Sequence, residues 1–179
     1  LRKPLVIMSP KSLLRHKLAV SDLSELAEGQ FATVIGEIDA LDPQQVTRVV
    51  LCGGKVYYDL LEKRRELGLD HVALIRVEQL YPFPEARIEA ELARYPNAEI
   101  LVWAQEEPQN QGAWLYIAPP LYALAARALP GKPVRYAGRE PSAAPACGSP
   151  YLHARQQAGL IAQALNIPQD QQGDANHGH

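Results

Sequence analysis

Four short apolar runs, Val46 to Cys52, His71 to Val77, Glu99 to Ala104 and Pro133 to Ala137, are each followed by a segment with the length or periodicity of a helix. This alternation constrains the fold more than any other feature. Parallel neighbours in a sheet must be joined by a crossover of a dozen or more residues, and a helix supplies one. Such a chain is expected to build an α/β fold: an open, mostly parallel five-stranded sheet with helices on both faces, with Phe31 to Ile38 as the further strand.

The local signals set the rest of the expected order. Leu5 to Met8 reads as a strand ended by Ser9-Pro10, and Lys11 to His16 as a basic connector. Ser21 is the expected N-cap of a short helix running to Glu28 and closed by Gly29. After Gly53-Gly54-Lys55 a helix carries Val56, Leu60, Leu61 and Leu67 on one face, and Glu62, Lys63, Arg64 and Arg65 mostly on the other. Pro82 and Pro84 bracket the start of a helix from Glu85 to Arg94. Trp114 to Leu129 reads as helical with a break at Pro119-Pro120, and Tyr151 to Asn166 as the last helix. From Pro168 the residues are polar and read as a disordered tail, in which His177 and His179 amount to a weak metal-binding pattern at most.

A length of 179 residues allows one domain with a proper core. The net charge of -2 offers no general field for nucleic acid or an anionic membrane, so neither is an expected partner. No apolar run approaches the roughly 20 residues of a membrane-spanning helix. Cys52 and Cys147 are too few for a disulfide framework and lack metal-ligand spacing, which suits a reducing compartment. The chain begins with Leu1, already close to an apolar run, and the expectation is a piece of a longer polypeptide.

In an open parallel sheet the working edge lies at the strand carboxyl ends. Ser9, Lys55, the stretch Gln105 to Gln111, and Arg139 are all expected there. Gly53-Gly54-Lys55 at a strand-to-helix turn suits an anion, because a helix N-terminus offers unpaired N–H groups. It is not a Walker loop, since the glycine ahead is missing and Val56 replaces Ser or Thr. Lys55 and Arg139 together would suit a phosphate or carboxylate. Glu106 and Glu107 are neighbours on a strand, so at most one points into a given cleft. No dinucleotide, nucleophile-elbow or zinc-protease motif occurs, and His16, His71 and His153 are far apart. These residues supply no complete active site: no catalytic, cofactor-binding or metal-binding residue is assigned, and the chain reads as a module that binds, docks or regulates.

Several segments in a fixed order are similar to one family. Lys3-Pro-Leu-Val-Ile-Met-Ser-Pro-Lys-Ser-Leu-Leu-Arg-His16, Gly36-Glu-Ile-Asp39, Val50-Leu-Cys-Gly-Gly-Lys-Val-Tyr-Tyr-Asp-Leu-Leu61 and Arg76-Val-Glu-Gln-Leu-Tyr-Pro-Phe-Pro84 are the first four. Trp103-Ala-Gln-Glu-Glu-Pro-Gln-Asn-Gln-Gly-Ala-Trp114 and Arg135-Tyr-Ala-Gly-Arg139 complete the set. Together they resemble the C-terminal region of the E1 component of 2-oxoglutarate dehydrogenase, from the start to about Asn166.

The resemblance implies a transketolase C-terminal-like domain over residues 18–167, preceded at 1–17 by the last strand of a pyrimidine-binding domain and a linker, with the tail at 168–179. It implies a full enzyme that uses thiamine diphosphate and Mg²⁺, bound outside this segment, to decarboxylate 2-oxoglutarate and pass the succinyl group to E2 lipoamide, which E3 reoxidises. The implied partners are the N-terminal catalytic domains, a second E1 subunit in a homodimer, E2 and E3. The implied location is the bacterial cytoplasm, or the mitochondrial matrix in a eukaryote. Some family members respond to acetyl-CoA or AMP, which makes Ser9, Lys55, Gln105 and Arg139 candidate effector-binding residues. Glu106, Glu107, Asn110, Gln111 and Trp114 are the candidate interface residues. Lys17, Gly53 and Glu140 depart from the family pattern, and Glu140 stands where it could neutralise Arg139. Two other readings stay open: a free-standing nucleotide- or acyl-CoA-sensing module, and the same domain of an E1 for another 2-oxo acid.

Overall fold

The structure, a computed structural model, describes residues 2–168. They fall into two compact units, one ending at Phe31 and the other starting at Ala32. In the first unit Lys11–Arg15 forms a 3-10 turn and α1 spans Leu23–Glu28. The expected strand at Leu5 to Met8 does not form. A strand is held by hydrogen bonds to a neighbour, and those four residues pair with none among the described residues. The α1 cap lies one residue later than expected, at Asp22, whose N–H donates to the Glu25 carboxylate at 3.2 Å. That contact favours Asp22 over Ser21 because Glu25 stands three residues beyond it, where its side chain can reach back.

The second unit is the α/β sheet domain. In chain order it contains β1 (Val34–Ile35), β2 (Arg48–Cys52), α2 (Val56–Leu67), β3 (Val72–Val77) and α3 (Glu85–Leu92). β4 (Ile100–Pro108), α4 (Trp114–Ala128), β5 (Val134–Arg139) and α5 (Pro150–Leu165) follow. The strands lie in the order β1-β3-β2-β4-β5, all parallel except β1, which pairs antiparallel with β3. The open, mostly parallel five-stranded sheet is therefore present, with Phe31 to Ile38 reduced to a two-residue edge strand. Among the described residues no helix is long and apolar enough to cross a membrane.

The two faces separate by strand periodicity. Val49, Leu51, Ala73, Ile75, Leu101 and Trp103 join the core formed with Ile88, Leu92, Ile117, Leu121 and Leu124, on the side of α3 and α4. Val50, Cys52, Leu74, Val102 and Ala104 alternate with them, are fully buried or nearly so, and face the side of α2 and α5. Burial on that face pushes the Cys52 thiol up to about 12, so it stays protonated.

Three features differ from the expectation. α4 runs unbroken through Pro119 and Pro120. Each proline forfeits one hydrogen bond, but the stripe Trp114, Ile117, Leu121, Leu124 and Ala125 is buried and holds the helix on the sheet. Arg64, expected on the solvent face of α2, is 2% exposed. Its guanidinium donates to Glu37 and Asp39, and to the carbonyl of Val72 at 3.0 Å. Finally, β4 continues through Gln105, Glu106 and Glu107 to Pro108, residues expected to lie beyond the strand end. Ala104 pairs with Ala137 and Pro108 with Arg139, so β4 places four residues against two of β5, a bulge that re-aims the side chains between. The tail at residues 169–179, including His177 and His179, lies outside the described residues.

Candidate functional site

The carboxyl ends of β2 and β4 form the switch point of the sheet. The chain leaves β2 for α2, on one face, and leaves β4 for α4, on the other, which opens a crevice between adjacent strands. The bulge at Gln105 to Glu107 lies at this crevice, and its three side chains go to different places.

Gln105 is 3% exposed and saturated. Its Oε1 accepts from the Trp103 indole N–H and from the backbone N–H of Trp114, each at 3.0 Å. Its Nε2 donates to the carbonyls of Glu107, Pro108 and Gln111, at 3.2, 3.2 and 2.8 Å. One side chain thus satisfies the first N–H of α4 and ties the turn that precedes it. Gly112 in that turn has φ +62°, and a Cβ there would come within 2.9 Å of the Glu107 Cβ.

Glu106 turns to the α2/α5 face. Its carboxylate accepts from Lys55 Nζ at 2.8 Å, and Asp59 takes the same ammonium at 2.9 Å. Gln157 of α5 donates from its Nε2 to both carboxylates, at 2.9 and 2.8 Å. Its Oε1 in turn accepts from Arg139 at 3.3 Å, and Arg139 also donates to His153 Nδ1 at 3.0 Å. Lys55, Glu106 and Arg139 are thus brought to one edge through Gln157. The charges do not add up to a free cationic pair: one ammonium faces two carboxylates. Burial works to lower the Lys55 pKa, but the hydrogen bonds that its ammonium donates to Glu106 and Asp59 outweigh it and raise the pKa above its ordinary value. Lys55 is neutralised by Glu106 and Asp59, while Glu140 makes no ion pair with Arg139 among the described residues. The Nε of Arg139 is buried without a partner, beside a cavity of about 240 Å³ that Glu140, Ser142, Cys147 and Gln156 also line.

Glu107 turns to the α4 side. It lines a cavity of about 450 Å³ together with Gly53, Gly54, Val77, Trp103, Gln105 and Tyr116. Asn110 and Gln111 reach the opposite way, holding the loop after β5. Asn110 exchanges two hydrogen bonds with the Ser142 backbone, both 3.0 Å, and Gln111 donates to the Ser142 carbonyl at 2.9 Å. Trp114 is 8% exposed and packs against Tyr136 with the rings tilted by 47° and their centroids 5.2 Å apart. Burial pushes the Tyr136 phenol up to about 12. Ser9 belongs to the first unit and immediately precedes Pro10 and its 3-10 turn.

Asp59 and Gln157 are not singled out by the sequence, and His153 stands out only as one of three scattered histidines. Asp59 carried a usable signal, since it stands one helical turn after Lys55. His153 and Gln157 carried none, because α5 is far away in sequence.

The family described as 2-oxoglutarate dehydrogenase C-terminal matches residues 20–165. The chain belongs to that family. It is 52% identical to the 2-oxoglutarate dehydrogenase E1 component of Azotobacter vinelandii over 93% of its own length and 18% of that protein. The E1 components of Coxiella burnetii and Haemophilus influenzae are 52% and 53% identical, with the same coverage. The chain thus spans about 18% of the length of these relatives. The resemblance carried by the sequence motifs therefore stands.

A 2-oxoglutarate dehydrogenase C-terminal domain raises the question of thiamine diphosphate and its Mg²⁺. The residues at this edge do not fit that group. Among the described residues no three His, Cys, Asp or Glu side chains converge as metal ligands, and both carboxylates beside Lys55 are bound to it. No step of a thiamine-dependent reaction is assigned to this chain's residues.

Proposed function

We propose that this chain serves as the C-terminal domain of the E1 component of a 2-oxoglutarate dehydrogenase complex, forming domain and subunit interfaces around a catalytic centre that lies elsewhere in the polypeptide. The observation that carries this reading is the family match over residues 20–165, together with half-identity to E1 components that are far longer than this chain. In this reading the complete enzyme holds thiamine diphosphate and Mg²⁺ outside this segment. It decarboxylates 2-oxoglutarate, hands the succinyl group to the E2 lipoyl arm and works as a homodimer with E2 and E3.

Within that enzyme the edge of Lys55, Gln157 and Arg139 is the proposed place for an anionic effector such as acetyl-CoA or AMP. Arg139 has a buried donor to offer, whereas Lys55 would have to leave Glu106 or Asp59 first. Gln105 is saturated by hydrogen bonds, so its part is to hold the edge in shape.

Substrate assays on the full-length E1 test the main reading. The expected result is reduction of an artificial electron acceptor with 2-oxoglutarate and added thiamine diphosphate and Mg²⁺, and none from the 179-residue chain alone. Turnover of a different 2-oxo acid in preference to 2-oxoglutarate would transfer the domain to another E1. For the effector, calorimetry on the same protein should show weaker acetyl-CoA or AMP binding after Arg139→Ala. Unchanged affinity removes Arg139 from the site.

A further inference from the structure

We infer that the 450 Å³ cavity beside Glu107 is a socket for an arginine or lysine side chain presented by the part of the E1 polypeptide outside this chain. This rests on the proposed role as one domain of an E1, and it names the chemistry of the surface that meets this one.

The walls and the charge of the cavity both point to a long cationic side chain. Val77, Leu80, Trp103 and Tyr116 make the sides mostly apolar or aromatic. Two carboxylates lie at its border. Glu78 is occupied by Arg76 at 2.9 Å, whereas Glu107 makes no ion pair among the described residues. The Glu107 Oε2 lies 3.1 Å from where a Cβ on Gly112 would stand, which sets the carboxylate against the cavity wall. A side chain with an apolar stem and a cationic head matches a slot of aromatic walls and one unneutralised carboxylate.

An anionic ligand fits less well. The nearby cations are already taken: Lys55 is held on the other face of the sheet by Glu106 and Asp59, and Arg76 is paired with Glu78. The positive end of α2 at Gly54 would face such a ligand alone, opposite Glu107 and Glu78.

The rim is built for a protein partner. Tyr81 is 78% exposed, Leu115 65% and Tyr116 46%, and the Tyr81 and Tyr116 rings stand 6.3 Å apart. A central charged anchor ringed by apolar contacts that exclude water is the arrangement of an interface core. Since this chain spans only 18% of its relatives, the larger part of an E1 polypeptide is available to cover it.

Footprinting on full-length E1 tests the inference. Carbodiimide-driven labelling of carboxylates is expected to modify Glu107 roughly tenfold more slowly than the exposed Glu62 of α2, because a buried interface core excludes solvent and reagent. Hydroxyl-radical labelling of Tyr81 and Tyr116 should be suppressed in parallel, and Glu107→Gln should restore it. If Glu107 and Glu62 react alike while Tyr151 of α5, 69% exposed in this domain, is protected from hydroxyl radicals, the socket is wrong and the interface reading stands. If neither face is protected, both fail. If Tyr81 and Tyr116 stay protected in Glu107→Gln, the contact is apolar and the basic partner is ruled out.

Discussion

Two ion-pair clusters in this domain are each built on one Glu and one Asp and differ in burial. Around Arg64 and Arg65, Glu37 and Asp39 gather four charges, and the Arg64 and Glu37 side chains are each 2% exposed. Around Lys55, Asp59 and Glu106 gather three, and each of those side chains is about a quarter exposed. The first cluster stitches the segment after β1 to α2 and β3: Glu37 also accepts the Leu74 N–H at 2.8 Å. Desolvated charges of this kind depend on one another, because removing one strands the rest in a poorly solvated place. The second cluster keeps access to water, which lowers its contribution to stability and lets its partners exchange. Burial therefore marks the Arg64 cluster as structural, whereas the Lys55 cluster stays in reach of solvent.

Arg64→Leu tests the contrast most severely. It should lower the unfolding free energy by about 3–5 kcal/mol in urea titrations, since the buried Glu37 loses its cation and the Val72 carbonyl loses the Arg64 donor. Gln105→Leu should cost about 2–4 kcal/mol by the same measurement, because the Trp103 and Trp114 N–H groups are left buried without an acceptor. Gly112→Ala should cost about 1–2 kcal/mol through its positive φ and the clash with Glu107.

The pH dependence sharpens the comparison further. The Asp39 carboxyl is held below 3.8 first by its hydrogen bond with Arg65, against a smaller opposing effect of burial, and then by the charges of Arg64 and Arg65. Its stabilising effect is complete above the unfolded value of 3.8 and is lost as pH falls through the depressed folded value. Asp39→Asn should therefore be less stable near neutrality and show a shallower decline below about pH 4. Lys55→Met should give the smallest change, within about 1 kcal/mol, even though two carboxylates lose their cation. A loss as large as that of Arg64→Leu would abolish the distinction between the clusters.

The alternation of apolar strands and helices determined the sheet class by itself, because hydrophobic periodicity is local and crossovers dictate parallel pairing. The motifs from Gly36 to Arg139 likewise sufficed to point to the family. Strand alternation also anticipated that Glu106 and Glu107 would part, but not that Glu106 would go to Lys55.

What the local pattern could not decide was set by packing. Arg64 reads as a surface residue in a run of charges, and the return of Glu37 and Asp39 to α2, with the Val72 carbonyl, makes its burial tolerable. Pro119 and Pro120 read as a break, yet the buried stripe of α4 outweighs two missing hydrogen bonds. The run Leu5 to Met8 has strand character without a strand, since pairing belongs to two segments and not one. Lys55 and Arg139 look like a ready anion site until folding sets Glu106 beside Asp59 on the Lys55 ammonium, and α5 brings Gln157 across 98 residues to join Asp59 to the edge. For Arg64 and for the Glu106 carboxylate on Lys55 the deciding partner is distant in the chain, and the energy of a charge depends on the neighbours that folding supplies.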